Sequence, residues 1–225
     1  MDGAGSRLAL AHRFSRTLVG LYFGVLCRVR VYNARLPASG FVISMNHRSA
    51  WDMVLYWAIL PRRIKFLAKK ELFHYPLLGR ILARWCIPVD RGRYDRKAFA
   101  LCLEALRAGF VLSVFPEGTR HAQLAAGHGG AVLMAAKAGV PVLPGAIAGG
   151  YRPFDTLTVR FGAPLHYPPE LNREQRQEAT IALMDTIRAL GATAPPRRPP
   201  RFRGRRKRGR RLGAPRDRGG RDRAV

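Results

Sequence analysis

Phe41-Val-Ile-Ser-Met45 runs straight into Asn46-His47-Arg-Ser49-Ala-Trp-Asp52, and this junction settles which class of fold the chain adopts. Four apolar residues and a serine fit a short strand. Ser49 then reads as the N-cap of a helix that Pro61 ends, which places Asp52 at the third helical position. A strand that breaks through a loop into a helix is the first half of a βαβ unit. On one straight helix, residues five apart are separated by about 140° and roughly 7.5 Å of rise, so His47 and Asp52 would not meet. With His47 in the loop and Asp52 in the first turn, the carboxylate can reach back toward the imidazole. The same spacing also reads as a mere capping box, Ser49-x-x-Asp52.

On either side of this junction, strand and helix patterns alternate. Arg28 to Tyr32, Ile64 to Ala68, Cys86 to Val89, Phe110 to Phe115, Val142 to Ile147 and Thr156 to Phe161 read as further strands. Helices are expected over Ser49 to Leu60, Tyr75 to Trp85, Asp95 to Ala108, Gly130 to Ala138 and Glu170 to Leu190. This alternation predicts an α/β fold: a single domain with a mostly parallel mixed sheet flanked by helices. Residues 6–27 read as an N-terminal amphipathic helix, with Arg7, Arg13 and Arg16 early and Leu18, Leu21 and Tyr22 late. It suits a headgroup boundary or a seat on the domain equally well. The expected partition is a membrane-associating helix over 1–28, the α/β domain over 29–192 and a disordered Arg-rich tail over 193–225. The tail is Arg, Gly and Pro with hardly an apolar residue, too little to offset its ordering entropy.

Charge narrows the partners. The 225 residues carry 40 Lys and Arg against 14 Asp and Glu, a net +26. That imbalance calls for an anionic partner: a phospholipid surface, a phosphorylated substrate or nucleic acid. Residues 195–225 supply net +12, so the rest of the chain is basic in its own right. Cys27, Cys86 and Cys102 have no metal-ligand spacing and sit in apolar surroundings, as packing residues do. One carboxylate accompanies His47 and no second His lies at helical spacing, which argues against a metal site. No apolar run reaches the roughly 18 to 20 residues of a spanning helix. The best, Leu18 to Cys27, is followed by Arg28-Val-Arg30 rather than a signal-cleavage pattern.

A second loop comes after a buried-strand pattern in Val111-Leu-Ser-Val-Phe-Pro-Glu-Gly-Thr-Arg120. Ligands of open α/β sheets collect beyond such strand ends. Arg120 can grip a phosphate with two parallel hydrogen bonds. Gly118 lets the backbone approach a ligand closely. The bland reading is a Glu117–Arg120 salt bridge closing a turn.

Four blocks in order, Asn46-His47 through Asp52, Ile87-Pro-Val-Asp-Arg91, Phe115-Pro-Glu-Gly-Thr-Arg120 and Val140-Pro-Val-Leu-Pro-Gly-Ala-Ile147, resemble the glycerolipid acyltransferase family that includes 1-acylglycerol-3-phosphate acyltransferases. Lys70-Glu-Leu72 with Pro76 and Gly79 adds to the likeness, which spans roughly residues 15 to 190. The resemblance implies acyl transfer from acyl-CoA or acyl carrier protein, as co-substrates with no cofactor and no metal, to the hydroxyl of the lysophospholipid 1-acylglycerol 3-phosphate, forming phosphatidic acid. It implies catalytic roles for His47 and Asp52, and acceptor contacts at Arg91, Glu117, Gly118, Thr119 and Arg120. It ties the fourth block to the acyl donor or chain, where the residues alone suggest a core strand. Oxyanion donors would be backbone amides near Gly118 or at the start of the Ser49 helix. The implied place is the cytoplasmic face of an anionic membrane, peripheral or monotopic.

The chain departs from the family's pattern after the third block. His121 stands where a Ser is usual, and Leu124-Ala-Ala-Gly-His-Gly-Gly130 lacks the usual Lys. Other lysophospholipids or an amino-lipid are therefore alternative acceptors. A basic nucleic-acid-binding protein is the rival class; it fits the tail but leaves His47, Asp52 and Glu117 without a role.

Overall fold

The computed structural model describes residues 17, 19–24, 27–90, 95–116 and 129–192. Along them lie β1 (Arg28–Tyr32), β2 (Phe41–Met45), α1 (Trp51–Ile59), β3 (Ile64–Lys69), α2 (Pro76–Trp85), β4 (Cys86–Val89), α3 (Arg96–Arg107), β5 (Val111–Val114), α4 (Gly130–Ala138), β6 (Val142–Gly149), β7 (Thr156–Phe161) and α5 (Arg173–Ala192). A 3-10 turn, Lys70–His74, precedes α2, and residues 19–24 are helical. The expected membrane-associating helix is described only over part of its length, and the expected tail lies outside the described residues.

The strands form one sheet in the order β1-β7-β6-β2-β5-β3-β4. β2 sits between β6 and β5 and is parallel to both, with Val42 opposite Val142 and Phe41 opposite Val111. β3 pairs parallel with β5 and with β4. β7 turns back antiparallel on β6 and carries β1 parallel to itself. The sheet is thus mixed and mostly parallel, as the alternation predicts. Because β2, β3, β4, β5 and β6 run the same way, their carboxyl ends share one edge of the sheet.

Alternation along β2 feeds two cores. Phe41, Ile43 and Met45 pack on one face with Phe23 and with Leu55 and Tyr56 of α1. Val42 points to the other face, among Leu106 of α3, Val132 of α4 and Leu183 of α5. Each such side chain, fully buried, contributes about 1.5–3 kcal/mol. Cys27, Cys86 and Cys102 are free thiols buried in these cores, as their surroundings suggest.

Local chemistry sets the helix ends. Asp95 caps α3 by accepting the Ala98 N–H at 3.0 Å. Gly139 ends α4 at φ +67°, where a glycine meets no Cβ penalty. Asn172 and Gln175 exchange side-chain-to-backbone bonds of 2.8 and 3.0 Å, so α5 starts at Arg173 rather than at Glu170. β6 runs on to Gly149, two residues beyond the expected end, because β7 pairs with it as far as Gly149–Leu157.

Candidate active site

β2 stops at Met45, and Asn46 pins the start of the next loop to the neighbouring strand. Its amide nitrogen donates to the Ile147 carbonyl at 3.0 Å, and its Oδ1 accepts the Ile147 N–H at 2.8 Å. Arg48 adds a second tie, donating from Nη1 to the Gly149 carbonyl at 3.0 Å. The loop 46–49 is therefore held against the end of β6 before α1 begins.

Within that loop His47 Nδ1 lies 2.9 Å from Asp52 Oδ2. The helix starts at Trp51, with Ala50 rather than Ser49 at the assigned cap, and Ser49 Oγ accepts the Trp51 N–H at 3.2 Å. Asp52 still reaches back. Its Oδ2 also accepts the Arg48 and Ser49 N–H groups at 2.7 and 2.8 Å. Capping and imidazole orientation, rivals on the sequence, are one arrangement here: the same oxygen caps the loop-to-helix junction and holds His47.

Oδ1 of Asp52 accepts the hydroxyl of Tyr151, a residue just beyond β6. The Asp52 side chain is 0% exposed. Burial pushes its carboxyl up, but the hydrogen bonds from His47, Tyr151, Ser49 and Arg48 outweigh this and hold it below the usual carboxylate range. Burial and then the adjacent Asp52 charge push the Tyr151 phenol far above its ordinary value, so it stays a donor. An ionised carboxylate can only accept, so the proton of neutral His47 sits on Nδ1 and Nε2 is left as the acceptor.

The imidazole is also stacked. Its ring lies over Phe115, with centroids 3.9 Å apart and 18° between planes, and Phe115 lies over Tyr56 at 6.1 Å. Phe115 directly follows β5, so the first, third and fourth sequence blocks meet at the carboxyl ends of β2, β5 and β6. The His47 side chain keeps 11% of its surface exposed, whereas Asp52 behind it keeps none.

Sequence reasoning brought His47 and Asp52 together correctly and missed the Tyr151 contact, for which no local signal exists. Asn46 and Phe115 lie inside the first and third blocks, but their contacts with Ile147 and His47 depend on strand order rather than on local spacing. Arg91, Glu117, Gly118, Thr119 and Arg120 lie outside the described residues. Among the described residues no cluster of three or more His, Cys, Asp or Glu could hold a metal ion. No described helix is long and apolar enough to cross a membrane.

The chain matches the family described as acyltransferase over residues 28–148. It is 35% identical over 174 residues to the 1-acyl-sn-glycerol-3-phosphate acyltransferase of Bacillus subtilis, covering 72% of this chain and 87% of that protein. To the enzyme of the same name from Pseudomonas aeruginosa it is 30% identical over 189 residues, covering 76% and 73%. The crystal structure of the 1-acyl-sn-glycerophosphate acyltransferase from Thermotoga maritima shares the fold, with a TM-score of 0.63 at 20% identity over 84% of each chain. The ordered blocks and these likenesses agree, and the chain belongs to the acyltransferase family, among the relatives of the 1-acyl-sn-glycerol-3-phosphate acyltransferases.

Proposed function

We propose that this acyltransferase moves a fatty acyl group from acyl-CoA or acyl carrier protein to the sn-2 hydroxyl of 1-acylglycerol 3-phosphate, giving phosphatidic acid, with His47 as general base. The His47–Asp52 hydrogen bond is the observation that carries the reading, because it supplies an imidazole of fixed tautomer at a strand end. An alcohol is a poor nucleophile at neutral pH and needs a base in reach as the C–O bond forms.

In this reading Nε2 of His47 takes the hydroxyl proton while the acceptor oxygen attacks the thioester carbonyl carbon. Asp52 stabilises the imidazolium so formed, as the carboxylate does in a Ser-His-Asp triad. The tetrahedral oxyanion then collapses, the C–S bond breaks, and the leaving thiolate recovers the proton from His47. The acceptor's own hydroxyl stands where a serine would, so no acyl-enzyme is needed.

Arg91 and Arg120 are assigned to the acceptor phosphate and Glu117 to a glycerol hydroxyl, with Gly118 and Thr119 in the same loop. The start of α1 is a poor oxyanion hole: the Arg48, Ser49 and Trp51 amides are already engaged by Asp52 and Ser49 Oγ. That favours amides near Gly118. The proposed place of action is the cytoplasmic face of an anionic membrane, bound peripherally.

An acceptor screen with purified enzyme tests this, using labelled oleoyl-CoA and then oleoyl-acyl carrier protein, with products read by mass spectrometry. Phosphatidic acid is the expected product; acylation of a different lysolipid alone would replace the acceptor. His47→Ala should lower turnover about 10²- to 10⁴-fold with acceptor binding retained. Near-normal turnover in that variant removes His47 as the base.

A further inference from the structure

Large apolar side chains stay exposed at the edge of the sheet that carries His47. Trp51 opens α1 and stacks on Tyr22, with centroids 6.0 Å apart and 16° between planes, and both are exposed. Phe154, in the β6–β7 connection, is 79% exposed at φ +70°, a backbone region that bulky residues enter only at a cost.

The largest group lies beyond β3. Because β3 and β2 both run parallel to β5, the 3-10 turn leaves the sheet at the same edge as the His47 loop. There Leu72, Tyr75, Leu77, Leu78 and Ile81 are exposed, Leu77 by 73% and Tyr75 by 61%. Leu77 and Ile81, four residues apart, form one stripe of α2. Leu82 and Trp85 turn inward against the core, and Trp85 meets Trp57 of α1 edge to face at 5.8 Å. So α2 is firmly seated by its other side. Buried Gly79 lets the Phe73 carbonyl come too close for any Cβ, which locks the turn against the helix.

The rim of this patch is basic. Arg80 and Arg84 are exposed on α2 beside it. The acids nearby are matched: Glu71 pairs with Lys69 at 3.6 Å and Asp90 with Lys70 at 2.6 Å. An apolar centre with a cationic border complements an anionic bilayer, whose interface takes the side chains and whose headgroups take the charges.

We propose that the 3-10 turn and α2, residues 69–84, form a bilayer-docking face that seats the His47 edge of the sheet on an anionic membrane. The proposal concerns residues 69–84 alone, and it stands whichever lysolipid is the acceptor.

The test uses the full-length chain and co-sedimentation with phosphatidylcholine vesicles, with and without phosphatidylglycerol. Leu77→Glu/Ile81→Glu should weaken partitioning at least about tenfold. Arg80→Gln/Arg84→Gln should weaken it about fivefold per residue on anionic vesicles only, a difference that salt removes. Both variants should keep the wild-type melting curve and turnover on a short-chain acceptor dissolved as monomer. The fluorescence of a Leu77→Trp variant should be quenched by bromine-labelled lipid chains, a readout that survives if the Glu variant fails to fold. Wild-type partitioning of the Glu variant, or a Leu77→Trp reporter that stays unquenched, overturns the proposal. So does a changed oligomeric state, or a raised KM for acyl carrier protein, with vesicle binding intact; these would make the face a protein interface.

Discussion

Tyr151 and Asp52, 99 residues apart, are joined by a hydrogen bond in which the phenol donates to Oδ1, the carboxylate oxygen that His47 does not use. Each Asp52 oxygen therefore has its own work: Oδ2 faces the loop and the imidazole, and Oδ1 faces β6. Tyr151 is itself packed beside Phe23, at 6.4 Å between ring centroids, so its hydroxyl is held from a second side.

Tyr151→Phe keeps the ring and removes only the donor. A buried carboxylate oxygen then loses its partner, at a cost of about 1–3 kcal/mol. The urea midpoint should fall with the slope unchanged, because no surface is newly exposed. Turnover should fall only about fivefold, the equivalent of about 1 kcal/mol of lost orientation, since Oδ2 keeps its three partners. A loss as large as that of His47→Ala would instead put Tyr151 among the groups that touch substrate.

Acid stability rests on the same carboxylate. Burial raises the Asp52 carboxyl, but its four hydrogen bonds hold it below the usual range when folded. As pH falls the unfolded chain therefore takes up this proton first. The stability Asp52 contributes is complete above about pH 4 and is lost as the pH drops through the folded value. Urea midpoints measured from neutral pH downward should fall below about pH 4, and Asp52→Asn should flatten part of that slope. An identical acid slope in the two proteins would show that the carboxylate gains nothing from its partners on folding.

How much of this was legible depends on distance along the chain. His47 and Asp52 could be paired on paper because loop and first turn are local, and the capping reading and the catalytic reading used the same geometry. The Tyr151 contact needs β6 beside β2, and strand order is a property of the whole sheet that no local pattern states. The Phe115 stack on His47 likewise needs β5 on the other side of β2. The antiparallel turn of β7 was within reach: residues 150–155 are too few to hold the crossover that parallel strands require. The start of α5 was too, since Asn172-x-x-Gln175 is a capping-box spelling. Roles for Arg91 and the Glu117–Arg120 loop rest on the family resemblance and, for the loop, on its place after a buried-strand pattern and the phosphate-gripping chemistry of Arg120.

The thiols give a check on the cores. Burial pushes Cys86 up to about 11 and Cys102 up to about 12. Only the thiolate reacts, and a free thiol near 8.5 is partly ionised at pH 8. In the folded protein both should react with iodoacetamide at least about a hundredfold more slowly than a model thiol, and at ordinary rates in denaturant. Fast labelling of Cys102 in the native state would mean that the α3 face opens to solvent.

Asp52→Asn separates orientation from mere packing. The amide has the same shape, and its oxygen can still accept the Arg48 and Ser49 N–H groups while its NH₂ donates to the Tyr151 oxygen. The fold should therefore survive. What it cannot do is carry the negative charge that balances an imidazolium beside it. In the triad template the matching substitution lowers kcat about 10⁴-fold with the geometry intact, by leaving the imidazole in the wrong tautomer; with the counter-charge lost and the tautomer no longer imposed by a carboxylate, a loss of about 10² to 10⁴ is expected here with little change in acceptor KM. A variant that keeps its melting temperature and its turnover would reduce Asp52 to a helix cap, and the proton transfer assigned to His47 would have to proceed without a counter-charge.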